Sequence, residues 1–214
     1  MLVPGVHPST WAALRAQAPA RGWMFAIGTH PEQLDRVGAP VPDDLYGAVA
    51  VGECGLHRPS PVPMARQAQV LVAHLEVAHA ARLPVILHCV RAHDVLPALL
   101  RSLGRPVSGV IHSYSGGAEL VPIYEALGLH LSFGGAVTWP GARRPVEALR
   151  RVSPHRLLLE SDGPDQRPRF TDEDPAWGPR SEPSMLPNLC RAVEALRGGP
   201  VAAQVERNAL ELGW

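Results

Sequence analysis

Four short apolar runs of this sequence each carry, at or next to their C-terminal end, a side chain that can bind a metal or move a proton. Gly47-Ala48-Val49-Ala50-Val51-Gly52-Glu53 and Arg156-Leu157-Leu158-Leu159-Glu160-Ser161-Asp162 end on carboxylates. Leu83-Pro84-Val85-Ile86-Leu87-His88-Cys89 and Val107-Ser108-Gly109-Val110-Ile111-His112 deliver imidazoles. Glu53, His88 and His112 form a two-histidine, one-carboxylate set, a usual shell for a catalytic zinc that keeps a position open for water. Asp162 is then free to ligate a second ion or to accept the proton of that water. Water brought to a pKa of about 7 is a hydroxide nucleophile at neutral pH, with phosphoesters and amides as natural targets. Taken singly, each residue has a plainer reading: a hydrogen-bonded structural histidine, or a solvated carboxylate. Four of them at equivalent positions of four runs favour a shared metal site.

For these side chains to meet at one end, the runs have to be parallel strands. Each is apolar at successive rather than alternate positions, as strands covered on both faces are. Pro84 is compatible with a strand because it begins its run. Strands are also expected near residues 2–5, 23–27 and 129–134, with Gly28-Thr29-His30-Pro31 leaving a further histidine, His30, at a strand end. His7 and His57 occupy similar places. Between the strands, helices are expected through Trp11, Leu14 and Ala18 with Ser9 or Thr10 as cap, and over 64–82, where Val70, Leu71, Leu75, Val77 and Ala78 make an apolar face. His74 and His79 on that helix read as packing or surface residues. Further helices are expected over 92–103, from the Ser113-Gly117 turn to about Gly128, and over 145–152, 184–197 and 201–212. Residues 58–63 and 163–183, rich in proline, read as loops, the second as a lid or a surface loop. Strand and helix alternate without a solenoid repeat, which implies an α/β parallel sheet, most simply a TIM-barrel-like (β/α) fold with its chemistry at the strand C-termini.

The chain's 214 residues suit one hydrophobic core, and a single domain over 1–214 is expected. Formal net charge is zero with a pI near 7.2, so no broad basic surface announces a long nucleic-acid groove. A nucleic acid would be held locally, at an end or a single phosphate. All 20 basic residues are arginine, and with 23 prolines this reads as the codon usage of a GC-rich genome. The three cysteines are odd in number and unpatterned, so Cys54, Cys89 and Cys190 read as reduced structural thiols. Strand alternation turns Cys54 and Cys89 away from Glu53 and His88. No apolar run approaches the roughly 18 residues of a spanning helix, and a cytoplasmic location is expected.

The motifs around these residues resemble a known family. Val51-Gly52-Glu53-Cys54-Gly55-Leu56 is similar to its G-E-x-G-L-D strand end, and Pro84-Val85-Ile86-Leu87-His88-Cys89 to its histidine strand. Gly109-Val110-Ile111-His112-Ser113-Tyr114-Ser115-Gly116, Leu158-Leu159-Glu160-Ser161-Asp162-Gly163-Pro164 and Gly28-Thr29-His30-Pro31 are similar to its H-x-F-S-G, L-L-E-T-D-x-P and G-x-H-P elements. Their order and spacing resemble the TatD family of metal-dependent hydrolases over essentially the whole chain. The resemblance implies a (β/α)8 barrel of the amidohydrolase type and a nuclease using divalent Mg, Mn or Zn. It makes Glu53 the carboxylate bridging two metals, His88 and His112 ligands of one, and Asp162 a ligand of the other and proton acceptor. His30 would lie near the substrate phosphate, with Arg91, Ser113 and Ser115 as further substrate contacts.

Several positions depart from the family pattern. The family opens with a strand bearing D-x-H-x-H, which this sequence lacks, and residue 1 aligns with the end of the family's second strand. The expectations are a barrel with a gap, one tightly held metal, and an open edge covered by self-association or by a longer native chain. His57 stands where the family has Asp, Ser161 where it has Thr, and Val90 where many members place an arginine. Competing readings are a hydrolase of another ester or amide, including aminoacyl-tRNA deacylation, and a metal-poor interaction module.

Overall fold

The long apolar runs fold as strands, each parallel to the next. The computed structural model describes residues 1–34, 40–170 and 177–214. They divide into two units: Met1–Ile111 with Leu127–Leu129 and Leu212–Trp214, and His112–Ala126 with His130–Glu211.

In the first unit β1 (Leu2–Gly5), β2 (Met24–Ile27), β3 (Ala50–His57), β4 (Val85–Val90) and β5 (Gly109–Ile111) pair in chain order, all parallel. Their interior is apolar on both faces: Ile27, Val51, Leu56, Val85, Leu87 and Ile111 are buried. This is the continuous pattern expected of strands covered by helices. One such cover is α2 (Met64–Ala81), which lies against β3 through Val70, Leu71, His74, Leu75 and Ala78. Those positions follow the helical repeat, and Arg82 ends the helix in a left-handed conformation, its N–H returning to Ala78 and His79. The earlier helix α1 (Pro8–Gln17) is capped by His7 rather than by Ser9 or Thr10: His7 Nδ1 accepts from the Ser9 N–H at 3.1 Å. Thr10 serves the same turn from the other side, its hydroxyl donating to the His7 carbonyl.

Two strands run further than their sequences suggest. Glu53 lies inside β3, not at its end, and the strand carries on to His57. Val51 pairs with Val85 and Cys54 with Leu87, so β3 spends three steps where β4 spends two and holds one extra residue at Gly52-Glu53. Gly52 permits this: its φ is 151° and a Cβ there would run into Ile86. Similarly, β4 continues past His88 to Val90. The helix expected over 92–103 begins only at Leu96, as α3 (Leu96–Ser102), and Asp94 instead meets the Arg58 guanidinium at 2.6 Å.

In the second unit β6 (Leu129–Phe133) pairs in parallel with β7 (Leu157–Leu159). The helices are α4 (Val121–Ala126), α5 (Arg143–Arg151), α6 (Leu186–Arg197) and α7 (Ala202–Glu211). Tyr114 packs edge-on to Tyr124 and Phe133 at ring-centroid separations of 6.0 and 5.8 Å. Asn208 of α7 is fully buried and donates to the Pro154 and Leu157 carbonyls, both at 2.7 Å, tying the helix to the start of β7. From Gly163 to Glu182 the described residues form no helix or strand, and 171–176 of the expected loop lie outside the described residues.

Candidate metal centres

Three elements of the first unit bring His30, Glu53 and His88 together, with potential ligand atoms within 4.8 Å of one another. His30 follows β2 and caps a short turn, its Nδ1 accepting the Glu32 N–H at 3.2 Å. That leaves Nε2 for Glu53, whose Oε1 is 3.3 Å away. The loop before it is anchored from α2: the Thr29 N–H donates to His74 Nε2 at 3.2 Å, and His74 Nδ1 donates to the Val70 carbonyl at 2.8 Å. His74 is therefore a neutral, doubly bonded core histidine that holds the His30 turn. Burial pushes its pKa below the ordinary histidine range, against a smaller opposing effect of the Val70 hydrogen bond.

Around Glu53 the imidazoles multiply. His88 Nδ1 lies 2.9 Å from Glu53 Oε1 and its Nε2 lies 2.9 Å from His57 Nδ1. His57 Nε2 in turn faces Glu32 Oε1 at 3.4 Å. The backbone of His57 is gripped by buried Gln67, which accepts its N–H at 2.7 Å and donates to its carbonyl at 3.1 Å. Burial lowers the His57 pKa, the Glu32 carboxylate raises it, and His30 and Arg91 lower it further. Cys54, beside Glu53 in sequence, has its thiol pushed far up by burial and then by the Glu53 charge, so it is inert as a nucleophile. None of Cys54, Cys89 and Cys190 forms a disulfide; the first two are buried, and Cys89 Sγ lies 3.4 Å from His93 Nδ1.

The second unit holds a second group, His112, Glu160 and Asp162, again with potential ligand atoms within 4.8 Å. His112 Nδ1 is 3.8 Å from an oxygen of each carboxylate. The Ser113 N–H donates to Glu160, while the Gln166 amide donates to both Asp162 and the Ser113 hydroxyl. Ser113 and Asp162 both have left-handed φ, 46° and 48°, a conformation that non-glycine residues adopt chiefly where the surroundings impose it. Burial raises the Glu160 pKa to about 7; the nearby His112 pulls it down and Asp162 pushes it up. A cation beside Glu160 would favour its charged form.

The structure thus groups Glu53 and His88 with His30, and His112 and Asp162 with Glu160. Arg91 is exposed, with φ of 52° and its carbonyl accepting from Arg58 Nε; Ser115 is exposed. The sequence reading left out Glu160 as a ligand; it lies past the end of β7, and the left-handed backbone at Asp162, not strand alternation, accompanies its placement beside Asp162. Glu32 and Gln67 carried no signal of their own. A cleft of about 1050 Å³ in the second unit is lined by Trp139, Arg143, Arg150, Arg169, Phe170 and Arg191, among others.

Comparison with known proteins shows the family. The profile of the TatD related DNase family matches residues 1–212. The chain belongs to the TatD-related DNase family. Its relatives there include the 3'-5' ssDNA/RNA exonuclease TatD of Klebsiella pneumoniae (strain 342), 34% identical over 212 residues, 92% of this chain and 79% of the relative. The uncharacterized metal-dependent hydrolase YjjV of Escherichia coli (strain K12) is 32% identical over 175 residues, 77% of this chain and 68% of that protein. The crystal structure of the YjjV TatD homologue from Escherichia coli K12 superposes with a TM-score of 0.83 at 27% identity, covering 99% of this chain and 85% of the other. A TatD-family hydrolase from Entamoeba histolytica shares the fold at a TM-score of 0.85, 15% identity, and coverage of 99% and 83%. The fold is accordingly the (β/α)-barrel-like one of TatD proteins, with candidate metal-binding groups among the described residues.

Proposed function

We propose that the protein is a metal-dependent phosphodiesterase of the TatD type that trims the ends of DNA or RNA strands, as a single catalytic domain in the cytoplasm. The observation that carries the reading is the convergence of His30, Glu53 and His88, a mixed imidazole and carboxylate donor set of the kind that suits Zn or Mn. Among the described residues no helix is long and apolar enough to cross a membrane, and Cys54, Cys89 and Cys190 form no disulfide.

His30, Glu53 and His88 would hold one divalent ion, and His112, Glu160 and Asp162 present the donors for another. Such an ion, when bound, supplies Lewis acidity toward a phosphoryl oxygen and a water acidified to about pKa 7. Glu53 fixes the imidazoles of His30 and His88 through its Oε1. Asp162, held by the Gln166 amide, is the proton acceptor of the reading, and Glu160 keeps the Ser113 N–H in place. In this reading His30 is taken up by the ion rather than by the phosphate, and Arg91 in the first unit and Ser113 and Ser115 in the second are retained as substrate contacts. The cleft around Trp139 and its arginines offers the stacking surface and phosphate-binding charge that a single strand requires.

The test is an end-labelled nuclease assay on single-stranded DNA, RNA and duplexes with recessed ends, before and after chelation and metal return. Stepwise shortening from one end, abolished by chelator and restored by a divalent ion, is expected. Hydrolysis of aminoacyl-tRNA or simple esters without strand shortening would overturn the nuclease assignment, and no metal-dependent hydrolysis at all would overturn the enzyme.

A further inference from the structure

His57 and His88 turn one nitrogen each toward the other, 2.9 Å apart, and each has a carboxylate against its remaining nitrogen. His88 Nδ1 is 2.9 Å from Glu53 Oε1, and His57 Nε2 is 3.4 Å from Glu32 Oε1. A carboxylate only accepts, so it draws the ring proton to the nitrogen it faces, and a neutral imidazole has a single such proton. The inner nitrogens, His57 Nδ1 and His88 Nε2, then meet lone pair to lone pair. In that tautomer pair the two lone pairs face each other at the separation of two ligands on one cation. A ring gripped through its outer nitrogen by a carboxylate is how proteins aim histidines at metals, fixing tautomer and orientation together. Here it is a hydrogen bond at His88 and a looser ion-pair contact of 3.4 Å at His57. His30 is arranged the other way: its Nδ1 accepts the Glu32 N–H, so the proton of the neutral ring sits on Nε2, 3.3 Å from Glu53 Oε1. Both His57 and His88 are well shielded, with side chains 14% and 12% exposed. The three rings crowd together, with centroids 4.3 Å apart for His30 and His88 and 5.2 Å for His57 and His88.

We infer that His57, through Nδ1, is a further metal ligand, sharing an ion with His88 Nε2 while Glu53 holds the opposite nitrogen of the His88 ring. Glu32 is the positioning carboxylate of His57. Such nitrogen-rich donors prefer zinc, cobalt or nickel over magnesium, which keeps to oxygen ligands and water. Gln67 contributes by clamping the His57 backbone at both its N–H and its carbonyl, so the ring is presented from a fixed strand end. The inference rests on the metal dependence of the proposed function but not on its nucleic-acid substrate.

The test uses the full chain, stripped with a chelator and titrated with Zn²⁺ or Co²⁺ alone. Long-range proton–nitrogen spectra of the zinc-loaded wild type should show His57 Nδ1 and His88 Nε2 both changing to metal-bound nitrogens. His57→Asn should weaken zinc at least about tenfold in competition with a chromogenic chelator and alter the visible band of bound Co²⁺, while Glu32→Gln weakens it less. An unchanged affinity and Co²⁺ spectrum in a folded His57→Asn protein would overturn the inference. So would zinc-loaded wild type in which His88 responds and His57 Nδ1 does not, a result that needs no variant to fold, or one in which neither responds because the two share only a proton. Zinc bound through His57 with no strand shortening would sink the nuclease assignment and leave the ligand set standing; zinc bound without His57 would do the reverse.

Discussion

Replacing His74 by Leu removes a side chain that touches no candidate ligand yet holds the turn carrying His30. His74 is fully buried, and the Thr29 amide it serves is itself 1% exposed. Leucine fills much of the same volume, so the main cost is the Thr29 N–H left without its acceptor, about 1–3 kcal/mol for a buried donor. Val70 keeps its helical bond from the residue 74 amide whatever the side chain. For a protein of this size each kcal/mol lowers Tm by roughly 2–4 °C, so a drop of about 2–12 °C at neutral pH is expected. The pH dependence gives the sharper readout. The buried ring resists protonation while the same ring in the unfolded chain titrates near about 6.5, so below that pH the unfolded state binds the extra proton. The contribution of His74 is thus complete above about 6.5 and is lost as pH falls toward the depressed folded value, at no more than about 1.4 kcal/mol per pH unit. Urea melts of wild type and His74→Leu from neutral to mildly acidic pH should converge as the pH drops. The zinc affinity of the variant should also fall through the loosened His30 turn, and His74→Gln, which retains an acceptor, should recover part of both losses. A stability gap that stays constant with pH, or no gap at neutral pH, would refute the reasoning.

Three further outcomes are expected. Asn208→Leu strips the Pro154 and Leu157 carbonyls of their donor and should cost about 2–4 kcal/mol, read from chemical denaturation midpoints; a change under about 1 kcal/mol would show that water replaces the amide. Gly55→Ala should abolish the folded state, because its φ of 154° suits glycine alone and a Cβ would penetrate the His88 backbone; expression screening and circular dichroism decide it, and a soluble variant with a near-native melt contradicts the tight β3–β4 approach. Trp139→Ala, about two-fifths exposed at 40%, should weaken single-strand binding by roughly 1–3 kcal/mol per lost stacked base while leaving Tm within a few degrees, and unchanged binding by fluorescence anisotropy would remove the cleft from the substrate path.

How far the sequence could be read follows from which interactions are local. The strands were legible because a parallel strand covered on both faces needs apolar residues at every position, and Val85-Ile86-Leu87 or Leu157-Leu158-Leu159 can hardly be anything else. Helix α2 was legible from its spacing, and the motifs that resemble TatD led to the family that comparison then showed. What failed were features set by a single residue or by distant partners. Gly52 lets β3 take one extra residue, so Glu53 sits mid-strand and its neighbours are His30 and His88; periodicity counts residues and has no way to register an inserted one. His74 reads as packing because it lies on the apolar face of its helix, yet its hydrogen-bond partner is Thr29, 45 positions earlier. His57 is the clearest instance. In sequence it is one histidine after Leu56, beside an arginine and a proline, whereas in the fold its ring lies between Glu32 and His88, fixed by Gln67. Each of those partners belongs to a different element, so the residue acquires chemistry only when β3, β4, α2 and the turn after β2 have all packed. Ligands placed on strands are therefore the part of such a site that sequence reveals, while the carboxylates and amides that aim them emerge from tertiary structure.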